Sequence, residues 1–310
     1  MKFLPSDTNI DFISKSKYAL VLSVLLVAFS VYTWVDSGAA KYGVDYKGGT
    51  ELVLKVEPGV TAETIRTALS ENGYPNPVVQ AFEASSREYS VRVGGKGSSE
   101  QLALSKVLSA GMGQDKFEVI KTDYVGPTIG AELRKKAQLA VILALIGMLI
   151  YISVRFELAF ALGAVAALFH DVVICLGIYV LSGREINVTT LAAALTIVGY
   201  SVNDTIIIFD RCREELSKRT SFDLPQLLNS AINRTLARTL ITSILTLFSA
   251  LALFLFGGGA IADLSFFLVA GVIAGTYSTI FVACPVVVMW EKFRASRGSS
   301  EEAVARKAAS

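Results

Sequence analysis

The stretch Gly199-Tyr200-Ser201-Val202-Asn203-Asp204-Thr205-Ile206-Ile207-Ile208-Phe209-Asp210 sets an amide and a carboxylate inside a run otherwise free of charge from Val188 to Phe209. Such a run is long enough to cross a hydrocarbon layer as a helix. Asp204 stands six residues before Asp210, about 9 Å along a helix, too deep for a short carboxylate to reach headgroups. An ionisable group at that depth costs at least a few kcal/mol, so it calls for a reason. Two readings stand: a proton or cation site, and a structural hydrogen bond between helices.

Working outward, five more runs of the same kind appear. The spans are read as 18–35, 137–154, 158–182, 188–209, 239–256 and 264–290, with a loop over 210–237 and a basic tail over 291–310. The chain of 310 residues is 53% hydrophobic and only 18% charged, against roughly 25% charge in soluble domains. The first span carries Trp34 at its far end, and the uncleaved span is the expectation; Gly38-Ala39-Ala40 keeps a signal-peptide reading open. Fifteen Lys and Arg fall on the side of the N-terminus, residues 1–17 and the tail included, against Arg184 alone in the opposite short loops. The positive-inside rule therefore puts both termini in the cytoplasm. Arg134-Lys135-Lys136 runs against this count.

Residues 36–133 are different in kind. Alternation over Glu51–Val56 ends at Pro58-Gly59, which reads as a strand; 61–72 reads as a helix, 78–83 and 88–93 as a strand pair, 99–110 as a helix and 117–124 as a last strand. The expected architecture is a polytopic α-helical membrane protein with six transmembrane helices. One extracytoplasmic βαββαβ ferredoxin-like domain sits between spans one and two. With no internal repeat of three spans, a lone six-span unit raises the prospect that a second half is a separate chain.

Several chemistries have no home here. One histidine excludes multi-histidine metal sites, the three cysteines lack CxxC spacing, and neither a P-loop nor G-x-S-x-G occurs. No metal, cofactor, enzymatic activity or nucleic-acid partner is expected. Arg238 is a candidate partner for Asp204, or else a snorkelling anchor. With Thr242, Ser249 and, more loosely, Thr235 and Thr246 it forms a polar stripe expected to face the bundle interior or a wet path. His170-Asp171 reads equally as a proton relay or as a mutually satisfied polar pair. Ala159, Gly163 and Ala167, and Gly271 and Gly275, have the spacing of close helix crossings. The segment 211–237 is amphipathic, suited to the membrane surface, a partner or solvent.

Further motifs carry a resemblance. Val44-Asp45-Tyr46-Lys47-Gly48-Gly49-Thr50, Val125-Gly126-Pro127-Thr128-Ile129-Gly130-Ala131-Glu132-Leu133, Arg155-Phe156-Glu157, His170-Asp171, the Gly199–Asp210 stretch with Arg211, and Arg238-Thr239-Leu240-Ile241-Thr242-Ser243 together resemble the SecD/SecF protein-export family, on its SecF side. Tyr46 stands where the family usually has Phe, and Cys212 where an aliphatic residue is common. The resemblance implies a subunit of the Sec machinery in the bacterial inner membrane, within the resistance-nodulation-division superfamily. Its implied partners are SecD, the SecYEG channel, YajC, a translocating preprotein and membrane lipid. It implies proton-driven late translocation through Asp204 and Arg238, with Asn203, Asp171 and Thr242 grouped beside them. It also makes Asp45, Gly48, Gly49, Thr50, Gly126 and Pro127 a hinge for the domain. A small-molecule antiporter of the same superfamily and a non-transporting assembly factor are the rival readings.

Overall fold

The computed structural model describes residues 8–38, 41–75, 77–81, 87–94, 100–217 and 223–308, with 100–101 and 298–308 as main chain only. Lys2, Phe82-Glu83, Ser99 and Lys218-Arg219, which figured in the reading above, lie outside the described residues. The helices are α1 (Ser16–Asp36), α2 (Val44–Lys47), α3 (Ala62–Glu71), α4 (Glu100–Met112), α5 (Pro127–Arg155), α6 (Leu158–Leu181), α7 (Val188–Leu216), α8 (Leu224–Phe256), α9 (Gly259–Ser278) and α10 (Cys284–Ala308). The strands are β1 (Gly49–Val56), β2 (Val78–Ala81), β3 (Glu88–Val93) and β4 (Phe117–Val125). Among the described residues, six helical segments are long and apolar enough to span a membrane, α9 and α10 counting as one.

Each junction has a local cause. Asn187 caps α7, its Oδ1 accepting from Thr190 N at 2.8 Å while Thr190 Oγ1 accepts from Asn187 N at 3.3 Å, a capping box. Pro127 opens α5, where its missing N–H costs nothing. Between α9 and α10 a π-turn over Thr279–Ala283 precedes Pro285. The proline cannot bond the carbonyl four residues back, so the helix widens by one residue instead of breaking.

Four helices run past the apolar runs that betray them. The second spanning helix begins at Pro127, ten residues ahead of the expected 137, its charged first turns joined by a Glu132–Lys136 pair at 2.8 Å. The expected loop 210–237 is instead the meeting of two helices, since α7 continues to Leu216 and α8 starts at Leu224. Its apolar stripe, Leu227, Leu228, Ala231 and Ile232, is buried in the chain's own core. Across the hairpin, Arg234 pairs with Glu215 at 2.9 Å. The last helix likewise runs through the expected tail to Ala308. Hydropathy marks where a helix is greasy, not where its hydrogen bonds stop.

Burial sorts the bundle. Some 61% of the apolar window of α6 and of α9–α10 is covered by the chain, against 11% for α1 and α5 and 17% for α8. The well-covered helices are central, and the others show wide apolar faces outward. The small residues act as expected: a Cβ at Gly163 would stand 2.6 Å from Ala283 O, and one at Gly271 2.3 Å from Ile197 Cδ1. Residues 8–15 lie along α8, where Asn229 Oδ1 accepts from Phe12 N (2.9 Å) and Ile13 N (3.1 Å), and Asn233 brackets Ile10.

The α/β unit between α1 and α5 is a four-stranded sheet ordered β2-β3-β1-β4, every pair antiparallel. Leu52, Leu54, Ile65, Leu69, Leu104 and Leu108 share one core, so α3 and α4 cover the same face. Two of the sequence motifs meet at the neck of this unit. Gly48, at φ +79°, leaves no room for a Cβ, which would stand 2.7 Å from Pro127 Cα, and a Cβ on Gly130 would stand 2.9 Å from Gly48 N. Thus the two motifs are two faces of one backbone crossing, with Gly49, Thr50 and Gly126 as its flanks. Gly48→Ala combines a left-handed φ with a backbone clash and is expected to cost about 2 kcal/mol or more. Faster protease cutting at the neck would register it; an unchanged rate would refute the crossing.

Candidate functional site

Two of the buried carboxylates in the helical bundle, Asp171 and Asp204, stand in opposite circumstances. Asp171, on α6, is fully covered. Its Oδ1 faces His170 Nδ1 at 2.9 Å, and its Oδ2 accepts from Ser201 Oγ on α7 (2.6 Å) and Ser278 Oγ on α9 (2.8 Å). Thr205 and Thr279 hydroxyls meet 3.1 Å apart one turn on, at the π-turn. The His170 ring stacks on Tyr277, centroids 6.0 Å apart, and Tyr277 donates to Ala19 O on α1 at 2.7 Å. Four helices thus converge on Asp171, which has the form of a satisfied polar knot.

Asp204, on α7, is 4% exposed, yet among the described residues no hydrogen bond or ion pair ends on its carboxylate. Arg238 on α8 acts on it through its charge at longer range. A carboxylate almost wholly covered and, among the described residues, without a donor is held by little besides that field, so the gain or loss of one proton changes its surroundings most.

The hydroxyls of α8 divide between two sides of the helix. Arg238, Thr242 and Ser249 are exposed on the surface of the chain, as is Asn203 on α7, while Thr235, Thr239 and Ser243 turn inward. Ser243 Oγ accepts from Thr276 at 2.8 Å. Hydroxyls occupy both sides of α8, and burial selects the side away from Arg238. Thr242 returns its hydroxyl to Arg238 O at 3.0 Å, so it needs no partner to remain in an apolar setting. Asp204 therefore sits just beneath an open face made by Asn203, Arg238 and Thr242.

At the other end of the bundle the α/β unit is clamped. Asp45 Oδ2 accepts from Val188 N, the first amide of α7, at 2.9 Å, and Gly43 N donates to Ile186 O at 2.9 Å. Arg92 on β3 joins Glu51 on β1 (2.9 Å) to Glu185 in the α6–α7 loop (3.0 Å), with Lys47 3.8 Å from Glu185. Arg184 in the same loop pairs with Asp263 on α9. Of the residues expected to form a hinge, Asp45 is thus bonded to the start of α7, and separating the unit from the α6–α7 loop would break these bonds.

Burial pushes the Glu185 carboxyl above its ordinary value of 4.5, and the charges of Arg92 and Lys47 pull it only part of the way back. A proton is then bound more tightly in the clamped arrangement than in a released one. This contribution to clamping is complete below pH 4.5 and is lost as pH rises through the raised value. Neck proteolysis should accordingly speed up across that window in the native chain relative to Glu185→Gln. Cutting that slows instead with rising pH would contradict the assignment.

Sequence reasoning missed Ser278, Thr279, Tyr277, Arg92 and Glu185. Hydroxyls are common in apolar helices, and nothing in the sequence ties Arg92 to a loop 93 positions away.

With this geometry in hand, comparison with known proteins is decisive. Residues 105–293 match the family model for the C-terminal part of the protein export membrane protein SecD/SecF. The chain belongs to the SecD/SecF family. It is 38% identical over 300 residues to the protein translocase subunit SecF of Calditerrivibrio nitroreducens, covering 95% of this chain and 98% of that one. It is 36% identical to the SecDF subunit of Thermus thermophilus over 95% of its own length but 40% of the relative's. The crystal structure of that SecDF, described as a translocon-associated membrane protein, superposes with a TM-score of 0.85 at 35% identity, over 94% of this chain and 40% of that one. A second SecDF structure, in a super-membrane-facing form, gives 0.69. As a SecD/SecF member the chain is a multi-pass membrane component of the Sec translocon with a role in protein export, and a transport subunit rather than an enzyme.

Proposed function

We propose that this chain is the SecF half of a twelve-span assembly, driven by the proton gradient, that promotes late preprotein translocation and release across the bacterial inner membrane. The observation that carries the reading is Asp204, buried without a donor beneath a polar face that the chain leaves uncovered. A bare polar face on a membrane protein is costly against lipid. A second six-span unit lying on α7 and α8 would cover it, and SecD is that unit. The coverage of only 40% of the fused SecDF chain supports this, since the remainder of that relative is joined to its counterpart. SecYEG, YajC and the preprotein are the further partners.

The βαββαβ order and the sheet order β2-β3-β1-β4 support reading the α/β unit as ferredoxin-like. The excess of Lys and Arg on the opposite side supports placing it outside the cytoplasm, with both termini inside. In the proposed cycle a proton from outside neutralises Asp204 and removes its attraction to Arg238. The two halves then shift, because a helix interface answers the loss of a buried charge by repacking. The shift reaches the α6–α7 loop and frees the neck at Asp45, Gly48–Thr50 and Gly126-Pro127, so that the unit moves with the emerging chain. One charge crossing 100 mV supplies about 2.3 kcal/mol, the scale of such a shift.

Two measurements test the proposal. Thr242→Cys should react with a membrane-permeant maleimide when the chain is alone and be shielded when SecD is present; equal labelling would remove the partner from this face. Vesicles carrying both subunits and the channel should complete preprotein transit faster when a proton gradient is imposed, and no acceleration would overturn the coupling.

A further inference from the structure

An apolar cavity of about 420 Å³ opens between α1, α5, α6 and α7 at the end of the bundle nearest the α/β unit. That is within the size range of sites for small apolar ligands, roughly 300–1,000 Å³. It extends along α5 from Arg134 to Ile142, eight residues or about 12 Å. Beyond it, the exposed Leu143, Ile146 and Ile150 continue the apolar surface along α5. One wall is an edge-to-face series of rings, Trp34 against Tyr42 (6.1 Å) and Tyr42 against Tyr46 (6.3 Å).

Two polar groups at this cavity lack partners. Arg134 lies over the Tyr42 ring at 5.4 Å, and among the described residues no carboxylate pairs with it. Among the described residues the Tyr46 hydroxyl, on a ring that lines this cavity, is buried with no hydrogen-bond partner. A buried donor without an acceptor is costly, and a lone guanidinium at the membrane surface attracts an anionic headgroup. We propose that this cavity is a site for one anionic phospholipid, its acyl chain between α5 and α6–α7 along the Trp34, Tyr42 and Tyr46 rings and its phosphate on Arg134. Arg134, one of the cations that run against the distribution of the others, then has a use.

The test uses the cavity's own reporter. Trp34 lines it, and the other tryptophan of the chain, Trp290, stands on α10. The full chain carrying Trp290→Phe is placed in phosphatidylcholine vesicles doped with phosphatidylglycerol brominated on its acyl chains. Trp34 emission should show a quenching component that saturates at low mole fraction and is missing with brominated phosphatidylcholine. Arg134→Gln should move its midpoint by roughly five-fold, the effect of one basic residue at an anionic surface. Tyr46→Phe should move it less, and Lys135→Gln, outside the cavity, not at all. Identical curves for the two lipids would overturn the headgroup assignment. Quenching that only follows bulk mole fraction, or none with either lipid because protein fills the groove, would overturn the site.

Discussion

Asp171→Ala is expected to lower the thermal unfolding midpoint of the purified chain by roughly 5–10 °C, while Asp204→Asn leaves it within about 1 °C. The first figure follows from what the substitution strands. Ser201 Oγ and His170 Nδ1 lose their partner in a bundle core, whereas Ser278 keeps a bond to Gly275 O at 3.2 Å. Two orphaned groups at about 1–3 kcal/mol each give about 2–4 kcal/mol after partial relaxation. At a few degrees per kcal/mol for a chain of this size, that is the stated shift. Asp171→Asn keeps one acceptor oxygen and should fall between. The contrast is the informative part, because Asp204 accepts no hydrogen bond that its replacement would lose. If Asp204→Asn proved the more damaging of the two, Asp204 would be the structural carboxylate and Asp171 the candidate for exchange.

The second large effect is functional. Asp204→Asn should eliminate the gradient-dependent part of preprotein export with the assembled complex intact, because an amide of nearly the same shape keeps the packing but cannot gain or lose the proton. Arg238→Gln should act in the same direction through a different cause. Without the guanidinium there is no charge on α8 for the carboxylate to attract, so gaining or losing the proton no longer switches an interaction between α7 and α8. In the double variant the gradient-independent part of export should equal that of Asp204→Asn alone, since both changes remove one exchange step. A further loss there would mean that Arg238 acts elsewhere, as a phosphate anchor or a partner contact.

The polar interruption at Asn203-Asp204 and the six apolar runs were legible because a charge in a greasy helix is conspicuous. The α/β elements were legible to within a residue or two, since alternation and Pro58-Gly59 mark a strand and its stop. Helix ends were not, because α5, α7 and α8 continue on charged residues whose pairings, such as Arg234 with Glu215, exist only once the hairpin is formed. The facing of α8 was hidden for a different reason. Thr235, Thr239 and Ser243 on one side mirror Arg238, Thr242 and Ser249 on the other, and only packing on α7 and α9 shows which set is covered. The pinning of the neck through Arg92 and Glu185 depends on bringing a strand to a loop between spans, a tertiary event with no local trace. The tight crossing of Gly48 with Pro127 and Gly130, by contrast, explains why two separate glycine-rich motifs were visible at all.

The most direct test of proton exchange at Asp204 compares the native chain with Asp204→Asn in inverted vesicles that also hold SecD and the SecYEG channel. Completion of a stalled preprotein is followed with and without an imposed proton gradient, and complex assembly is measured on the same vesicles. The account predicts a gradient-dependent gain in the native vesicles and none in the variant, at equal assembly. A gain that persists in Asp204→Asn would contradict it and leave Asp204 a bystander in the bundle.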